Sequence, residues 1–301
     1  CSKNDEENAL LGLNHTSSVL HPDDFASIKA NWDPKDINIS NSAEELNLLP
    51  ESFVFIDDNP AECAIVEGQL PEVKTINLET VDDAMYKLSR GGYFETLSIS
   101  EDDVKRSEMY AANAKRAAQQ KSFGNYTEYL LSLGMKAEIG GFKPVYIQRI
   151  TQLTNKSNQF NLTTRRYTEP EIREAAESSD HICLCGRLAD KFGDNGIVSV
   201  VIGRCEGDTL HVELWLMSCR VLKRDMELAM LDELAKKCRE RGICRITGYY
   251  YKTAKNSMVS KLYETFGFDL VEEKENGDSV WSLDLDSYEN KNKVIKTVEE
   301  F

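Results

Sequence analysis

The hydrophobic pattern of residues 1–95 alternates between short apolar runs and amphipathic segments. Apolar runs near Phe53–Ile56 and Val73–Ile76 predict two short β-strands. Helical patterns surround them, at Asp5–Leu13, Ala43–Asn47, Ala61–Gln69 and Val81–Ser89. This alternation predicts βαβ units, in which the two strands lie parallel in one sheet.

A long charged segment with helical periodicity, Ser100–Ser122, comes next, followed by a shorter helical pattern at Tyr126–Leu133. Ser100 and Asp103 have the spacing of an N-terminal capping box. The segment is not rich in the Gly, Ser and Pro that mark flexible linkers. We therefore expect residues 96–134 to be a helical connector between two domains, 1–95 and 135–286.

From residue 135 the pattern changes to that of an α+β domain. Strands are predicted at Lys136–Gly140, Ile182–Ala189, Gly196–Gly203, Thr209–Leu216, Cys244–Tyr250, Phe268–Glu273 and Ser279–Leu285. Helices are predicted at Val145–Asn155, Arg224–Arg241 and Lys255–Phe266. Residues 287–301 are predicted to be a charged tail that frays from the domain.

Two adjacent aspartates, Asp57 and Asp58, end the first predicted strand. Open parallel sheets bind ligands at the carboxyl ends of their strands. Two carboxylates at such a place repel each other unless a cation offsets their charge, and Mg²⁺ prefers oxygen ligands. The pattern favours a magnesium site, although an exposed Asp-Asp turn would give the same local sequence.

Two further polar groups precede these aspartates. The start of the chain, CSKN, places Ser2 and Asn4 before an acidic helix whose N-terminus has free backbone N–H groups. Lys35 lies in the segment WDPKDINI, just before a second helical pattern. A hydroxyl, a cation and a carboxylate pair are the groups that a phosphoryl-transfer site needs, but a nucleophile is missing from this set.

These motifs, with LTNKSNQFNLTTRRYT, SCRV and TAKN further along, resemble FkbH-type proteins over roughly residues 1–285. Such proteins join a phosphatase-like domain of the haloacid dehalogenase (HAD) type to a GNAT-like acyltransferase domain. The implied fold is α/β plus α+β, with an incomplete HAD-like, Rossmannoid parallel sheet followed by a GNAT-like domain. The implied function is transfer of a glyceryl unit from 1,3-bisphosphoglycerate, with loss of phosphate, to an acyl carrier protein in polyketide-type biosynthesis.

The resemblance assigns roles in the first domain. Ser2 would bind phosphate with Asn4 beside it, Lys35 would stabilise its charge, and Asp57 with Asp58 would hold Mg²⁺. HAD domains carry a nucleophilic D-x-D motif on a strand upstream of the Ser motif, and that strand is absent here. We therefore expect no phosphatase activity from this chain, and an uncovered sheet edge or core face.

In the second domain, GNAT enzymes grip a pyrophosphate with a glycine-containing turn after the central strand. Here that turn reads Arg220-Val221-Leu222-Lys223-Arg224-Asp225, with Lys223 and Asp225 where FkbH-type proteins have glycines. Non-glycine residues at positive φ cost on the order of 1 kcal/mol each, and Asp225 adds negative charge. Coenzyme A is thus the less favoured cofactor, and Arg220, Lys223 and Arg224 are expected to meet the phosphopantetheine of a carrier protein. A degenerate, purely structural turn is the alternative.

Other candidates in the second domain have structural alternatives. Tyr263 occupies the position of a GNAT general acid, although a core aromatic would fit the same pattern. Cys219, at the end of the central strand, or Cys1 is a candidate carrier of a glyceryl thioester; burial is the alternative for each. A polar loop is predicted to contact the substrate or carrier through Asn158, Gln159, Asn161, Thr163, Thr164 and Arg165, unless it is only a solvated transition after a helix.

Charge is distributed unevenly. Residues 1–95 hold 6 Lys/Arg and 19 Asp/Glu, whereas the remainder holds 30 and 32. The acidic first part excludes nucleic acid and anionic membranes as partners. An acidic carrier protein is expected to dock on basic residues of the second domain: Arg165, Arg166, Arg220, Lys223, Arg224, Lys236, Lys237, Arg239 and Arg241.

The eight cysteines are scattered and no apolar run has membrane-spanning length, so a cytoplasmic protein is expected. Two other functions fit the sequence less well. The chain could be a GNAT N-acyltransferase that uses acetyl-CoA, or an interaction module without catalytic activity.

Overall fold

The computed structural model describes residues 1–95 and 104–298. They divide into two compact units, Cys1–Ala114 (unit 1) and Lys115–Phe301 (unit 2). The start of the predicted connector, with Ser100 and Asp103, lies outside the described residues. None of the described helices is both long enough and apolar enough to cross a membrane.

Unit 1 contains two parallel strands and the helices around them. The strands are β1 (Val54–Asp57) and β2 (Lys74–Asn77), with Val54 opposite Lys74 and Asp57 opposite Asn77. The helices are α1 (Glu6–Leu13), α2 (Lys35–Leu46), α3 (Pro60–Gln69) and α4 (Val81–Gly91), with the first part of α5 (Arg106–Gln120). The βαβ prediction is confirmed for β1–α3–β2. Helix α2 begins at Lys35, eight residues earlier than predicted, directly after Pro34.

An apolar groove of about 400 Å³ runs beside β1. It is lined by Ile39 and Leu46 of α2, by Phe53 and Phe55, and by Cys1 near its end. Among the described residues, β1 pairs with β2, and Ser2 forms a separate parallel bridge with Ala30.

Unit 2 is built on an eight-stranded sheet. Its strands are β3 (Lys136–Gly140), β4 (His181–Asp190), β5 (Gly193–Glu206), β6 (Thr209–Met217), β7 (Arg245–Tyr250), β8 (Asp269–Glu273), β9 (Ser279–Asp284) and β10 (Lys296–Val298). The order across the sheet is β10-β3-β4-β5-β6-β7-β9-β8. Only β10–β3 and β6–β7 are parallel pairs. The seven predicted strands are confirmed.

Helices cover both faces of this sheet. One face packs on α9 (Met226–Glu240) in a large core that includes Leu184, Trp215 and Tyr263. The other packs on α7 (Ile147–Lys156) and α8 (Glu169–Glu177) through Ile150 and Ile172. The remaining helices of unit 2 are α6 (Tyr126–Ser132) and α10 (Leu262–Thr265).

The pairing of β6 with β7 covers only three residues. It ends at His211 opposite Thr247, and the two strands then diverge. Residues 160–163 lie between them, because the Leu162 N–H donates to the Trp215 carbonyl and the Tyr251 N–H donates to the Leu162 carbonyl. Residues 160–163 thus close the wedge, the gap between the diverging strands β6 and β7.

The predicted helix Lys255–Phe266 is wrong in its extent. A 3₁₀ turn at Ser257–Val259 and the short α10 replace it. The buried Asn256 side chain accepts from the Thr253 N–H and donates to the Tyr251 carbonyl, which holds the chain in a loop there. Local hydrogen bonds of this kind compete with a helix.

The predicted fraying of residues 287–301 is also wrong as far as residue 298. Tyr288 and Ile295 are buried in the core, and β10 pairs with β3. Asp232 of α9 fixes the segment, because its carboxylate accepts from the Tyr288 hydroxyl at 2.6 Å and from two backbone N–H groups, those of Lys291 and Asn292.

Helix α8 was not predicted, although its start is marked in the sequence. Thr168 and Glu171 form a capping box, and Pro170 lies in the first turn. The T-x-x-E spacing with a proline is a recognised N-terminal signal. The polar composition of the segment obscured it.

We expect Asp232→Ala to lower the free energy of unfolding by about 2–3 kcal/mol, because three donors lose their acceptor and two of them are backbone N–H groups. Urea denaturation would measure the change. Glu240→Ala on the same helix, which removes an exposed pair with Lys237, is the control and should cost less than about 0.5 kcal/mol. Equal effects of both changes would contradict the role given to Asp232.

Candidate functional site

Unit 1 brings the predicted site residues Lys35 and Asp57 together at the carboxyl end of β1, near Cys1. The Lys35 ammonium donates to Asp57 Oδ2, and both side chains are largely buried. Burial lowers the pKa of the Cys1 amino group most, the charge of Lys35 lowers it further, and the charge of Asp57 raises it. Ser2 lies on the neighbouring bridge to Ala30 and is exposed.

The geometry around Asp57 does not fit a magnesium site. Its Oδ2 is bonded to Lys35, and its Oδ1 accepts from the Asn59 N–H at 2.9 Å. Asp58 is exposed, and the described residues contain no cluster of three or more His, Cys, Asp or Glu side chains that could hold a metal. Lys35 supplies the positive charge that a cation would otherwise provide. Asn4 accepts from the Asp5 N–H ahead of α1.

In unit 2, a strained turn joins β6 to α9. Lys223 has φ +62° and Asp225 has φ +59°, in the left-handed region that favours glycine. These are the two positions at which the sequence departs from the glycines of FkbH-type proteins. Asp225 is also the N-cap of α9, yet its side chain makes no capping hydrogen bond. The first turn of α9 therefore has no cap from the Asp225 side chain.

Buried arginines hold this turn in place. Arg224 donates to the Arg220 carbonyl at 3.0 Å and lies 3.4 Å from Asp190, which also binds Arg116 through two bonds of 2.7 Å. Burial, and next the charge of Arg116, lower the pKa of Arg224 to about 10. Arg220 Nε donates to the Ser218 hydroxyl. The predicted phosphate-binding role of Arg220 and Arg224 stays a prediction, while Lys223 is exposed.

Glu227, in the first turn of α9, was missed by the sequence analysis. Its Oε2 atom is buried and has no hydrogen-bond partner among the described residues. Burial raises the pKa of Glu227 to about 7, and the charge of Asp225 adds to the shift. Burial also raises the pKa of Asp225. Two carboxyl groups that resist ionisation thus lie at the N-terminus of a helix.

The polar loop 158–167 divides into a buried part and an exposed part. Asn161 and Thr163 are buried in the wedge, where the Thr163 hydroxyl donates to the Glu213 carbonyl at 2.7 Å. Thr164 has φ +55°, unusual for a β-branched residue, and its N–H donates to Asn161 Oδ1. Asn158 accepts from Arg166, and Gln159 is partly buried beside it.

Thr164 turns the chain so that Arg165 reaches Glu213, a residue that the sequence analysis did not single out. Arg165 Nη1 lies 2.8 Å from Glu213 Oε2, which also accepts from the Tyr167 hydroxyl at 3.3 Å. Glu213 sits in a β-bulge, since Ile202 pairs with Leu214 and Gly203 pairs with Val212. Bulges often redirect a side chain near a functional site.

The predicted catalytic residues of unit 2 differ in accessibility. Tyr263 is 1% exposed, and its ring lies where a side chain on Gly248 would have to be. Burial raises the pKa of the Tyr263 phenol, which keeps it protonated. Cys219 is half-buried in a 3₁₀ turn after β6. The catalytic roles of Tyr263 and Cys219 stay predictions.

The opposite face of the diverging strands carries a polar cluster. His211 Nδ1 and the Tyr249 hydroxyl are 2.7 Å apart and their rings stack, while His211 Nε2 lies 3.7 Å from Glu206. The sequence signal was period-two alternation in β7, which places Thr247, Tyr249 and Tyr251 on one face.

The basic residues proposed to dock a carrier protein are mostly engaged within unit 2. Lys236 and Lys237 pair with Glu233 and Glu240. Arg239 donates to the Leu285 and Tyr288 carbonyls, and Arg241 donates to those of Ser179 and His181. Docking of a carrier therefore stays a prediction that rests mainly on Arg165 and Lys223.

The chain matches no family model and no curated protein. Among solved structures, the ribosomal-protein-S18-alanine N-acetyltransferase of Escherichia coli is 12% identical, with a TM-score of 0.38, and the match covers 50% of this chain and 94% of that one. The PaiA N-acetyltransferase of Thermoplasma acidophilum, solved in complex with coenzyme A, is 16% identical with a TM-score of 0.37, covering 50% and 99%. Aminoglycoside 6'-acetyltransferase type Ii is 17% identical with a TM-score of 0.38, covering 49% and 96%.

These three structural neighbours are acetyltransferases that match about half of this chain, and further matching structures are described as GNAT proteins. Likenesses of this size identify neither a family nor an activity. The features of unit 2 that point to a function are the sheet order, the diverging strands and the strained turn at the N-terminus of α9.

We expect Lys223→Gly and Asp225→Gly each to stabilise the protein by about 0.5–1 kcal/mol. The left-handed conformation costs L-residues roughly 1–2 kcal/mol, and the greater freedom of glycine in the unfolded chain offsets part of the gain. Denaturant unfolding would measure both. Gly242→Ala, at φ +72° beyond the other end of α9, is the reverse control and should destabilise. Loss of stability in both glycine variants would show that the turn is not strained.

Proposed function

We propose that unit 2 is an acyltransferase domain of the GNAT type, which takes its acyl group from a pantetheine thioester such as acetyl-CoA. The observation that carries this proposal is the turn between β6 and α9. It combines two left-handed residues with a helix N-terminus that has no side-chain cap. Backbone N–H groups at such a place are suited to a phosphate.

The position of the turn supports the same function. It follows β6 at the end where β6 and β7 have diverged, so a donor held there by its phosphate could extend along the strand. Glu213 and Ser218 are five residues apart, about 17 Å at roughly 3.3 Å per residue. An extended arm of that length would carry a thioester from the turn to the polar cluster near Glu213.

The carboxyl groups of Glu227 and Asp225 limit the pH range in which this site can bind a phosphate. When ionised, either carboxylate would repel a phosphate at the helix N-terminus. Because the pKa of Glu227 is raised to about 7, its carboxyl group is neutral below that pH and charged above it. Donor binding should therefore weaken as the pH rises through about 7.

We expect Glu227→Gln to tighten acetyl-CoA binding about tenfold at pH 8 and to change it little at pH 6. The substitution removes the charge that appears above pH 7 while keeping the side chain's shape. Calorimetric titration of both proteins at the two pH values would measure this, and ionisation of the ligand's own phosphates would affect both equally.

Glu240→Gln, at the opposite end of α9, is the matched control and should bind acetyl-CoA as the unaltered protein does. If the unaltered protein binds neither acetyl-CoA nor phosphopantetheine at any pH, the proposal fails. An interaction module without catalytic activity would then be the better account.

A second candidate is the finer function implied by the resemblance: glyceryl transfer from 1,3-bisphosphoglycerate to an acyl carrier protein. The pairing of Lys35 with Asp57 at the end of β1 favours it, since the resemblance assigns both residues to the phosphatase-like site.

For this candidate we expect the double variant Arg165→Ala, Lys223→Glu to weaken binding of a holo acyl carrier protein at least tenfold, because both side chains are exposed cations facing an acidic partner. Fluorescence anisotropy with a labelled carrier would measure affinity. Lys74→Glu in unit 1, which reverses the charge of another exposed lysine, is the control. Unchanged affinity in the double variant would count against this candidate. Mg²⁺-dependent phosphate release by the unaltered chain would contradict the expectation that it has no phosphatase activity.

A further inference from the structure

We infer that Tyr249, His211 and Glu206 form a proton relay on the side of β6 and β7 opposite Tyr263, and that this side binds the acyl acceptor, a primary amine. The inference rests on the proposed acyl transfer and adds to it the acceptor and the group that handles its proton. None of these three residues was among the candidates drawn from the sequence.

The first step is the chain of contacts. The Tyr249 hydroxyl lies 2.7 Å from His211 Nδ1, and the rings stack with centroids 6.1 Å apart. When Nδ1 accepts this hydrogen bond, Nε2 carries the ring proton and faces Glu206 Oε2 at 3.7 Å. A phenol, an imidazole and a carboxylate in this order have the arrangement of a base-activated group that a third residue orients.

The second step is the position of the relay. His211 belongs to the last pair between β6 and β7, opposite Thr247. Glu213 and Tyr249 lie two residues further along the two strands, at the apex of the divergence. The bulge at Glu213 brings its carboxylate to the same region, where it meets Arg165 and Arg204. The relay thus lies where an acyl group carried along β6 would arrive.

The third step is access. Strand β7 alternates, so that Ile246, Gly248 and Tyr250 are buried while Thr247 and Tyr249 are partly exposed. Tyr263 packs against the buried face at Gly248. Tyr249 and Tyr263 therefore lie on opposite sides of β7 at Gly248, and Tyr249 is the one that a substrate can reach from solvent.

The fourth step is the chemistry of the acceptor. Glu206 and Glu213 supply two carboxylates, and Tyr249 and Tyr251 present neighbouring rings with centroids 6.3 Å apart. Carboxylates and aromatic faces both attract an ammonium group. Arg165 pairs with Glu213, and Arg204 pairs with both carboxylates, so an ammonium would join an existing network of ion pairs. The groups that face His211 are Tyr249, Glu206 and Arg204, and Arg204 lies opposite His211 on β5.

The reaction balances without a further reagent. The bound ammonium first releases one proton to solvent. The neutral amine nitrogen then attacks the thioester carbonyl, and a C–N bond forms as the C–S bond breaks. The proton lost by the nitrogen passes to the Tyr249 oxygen while the phenol proton moves to His211 Nδ1, giving an imidazolium beside Glu206. The same proton returns through Tyr249 to the departing thiolate, so that an amide and a thiol leave.

Binding is tested first, without an acyl donor. Ring ¹⁵N signals of the four histidines would be recorded while butylamine is added to the full chain, with butanol as the uncharged counterpart. We expect butylamine to shift the His211 signals while those of His15, in unit 1, stay unchanged, and butanol to have no effect. Absence of an amine-dependent shift at His211 would overturn the inference whatever the enzyme's activity.

Turnover is tested second, with acetyl-CoA and butylamine. We expect Tyr249→Phe to lower kcat by about 10²–10³-fold, a usual range for loss of a proton-transfer group, with KM for acetyl-CoA within threefold. Tyr86→Phe, at an exposed tyrosine of α4 in unit 1, is the matched control and should stay within threefold of the unaltered protein. The pH dependence of kcat should flatten in Tyr249→Phe, which a purely structural role would not cause.

A Tyr249→Phe variant that keeps more than a third of kcat would overturn the relay. Amine binding at His211 without any acyl transfer would support the acceptor site and count against the proposed acyl donor. The two failures are thus distinguishable, because one is read from the histidine signals and the other from the product.

Discussion

The divergence of β6 from β7 is the constraint on which the rest of unit 2 depends. Two parallel strands that separate inside a sheet expose backbone N–H and C=O groups that must find partners. Residues 160–163 supply them: Leu162 bridges Trp215 and Tyr251, and the Phe160 carbonyl accepts from the Met217 N–H. The buried Asn256 then donates to the Asn161 carbonyl and ties the loop to the chain after β7. The polar residues of the loop are therefore first of all structural.

This constraint also explains where backbone strain occurs. Thr164, Lys223 and Asp225 all have positive φ and lie at the edges of the divergence, one after the inserted segment and two after β6. Strain persists only where surrounding contacts fix the backbone. Here the Asn161 side chain fixes Thr164, and the pairing of Arg224 with Asp190 fixes the turn. Function at both places is consistent with this concentration of strain.

Local pattern was enough to predict β1 to β9, because alternation and short apolar runs are properties of adjacent residues. It failed where distant residues decide. Asp232 anchors Tyr288, 56 positions away along the chain, which turned a segment predicted to fray into part of the core. The bulge at Glu213 and the meeting of His211 with Tyr249 likewise depend on cross-strand register, which the sequence does not state. The T-x-x-E start of α8 was readable, however, and was overlooked.

The two tyrosines near the apex show how far sequence reasoning could have gone. A resemblance singled out Tyr263 by its position in LYETFGF, and the structure places its ring under Gly248, in the core. Strand β7 has period two, so Gly248 and Tyr249 face opposite sides of the sheet. A glycine in a strand often marks close approach of another group, and here that group is the Tyr263 ring. Because Tyr263 occupies the side of Gly248, Tyr249 must face the other side, where His211 and solvent are. The choice between the two phenols therefore follows from one glycine and the alternation of a single strand.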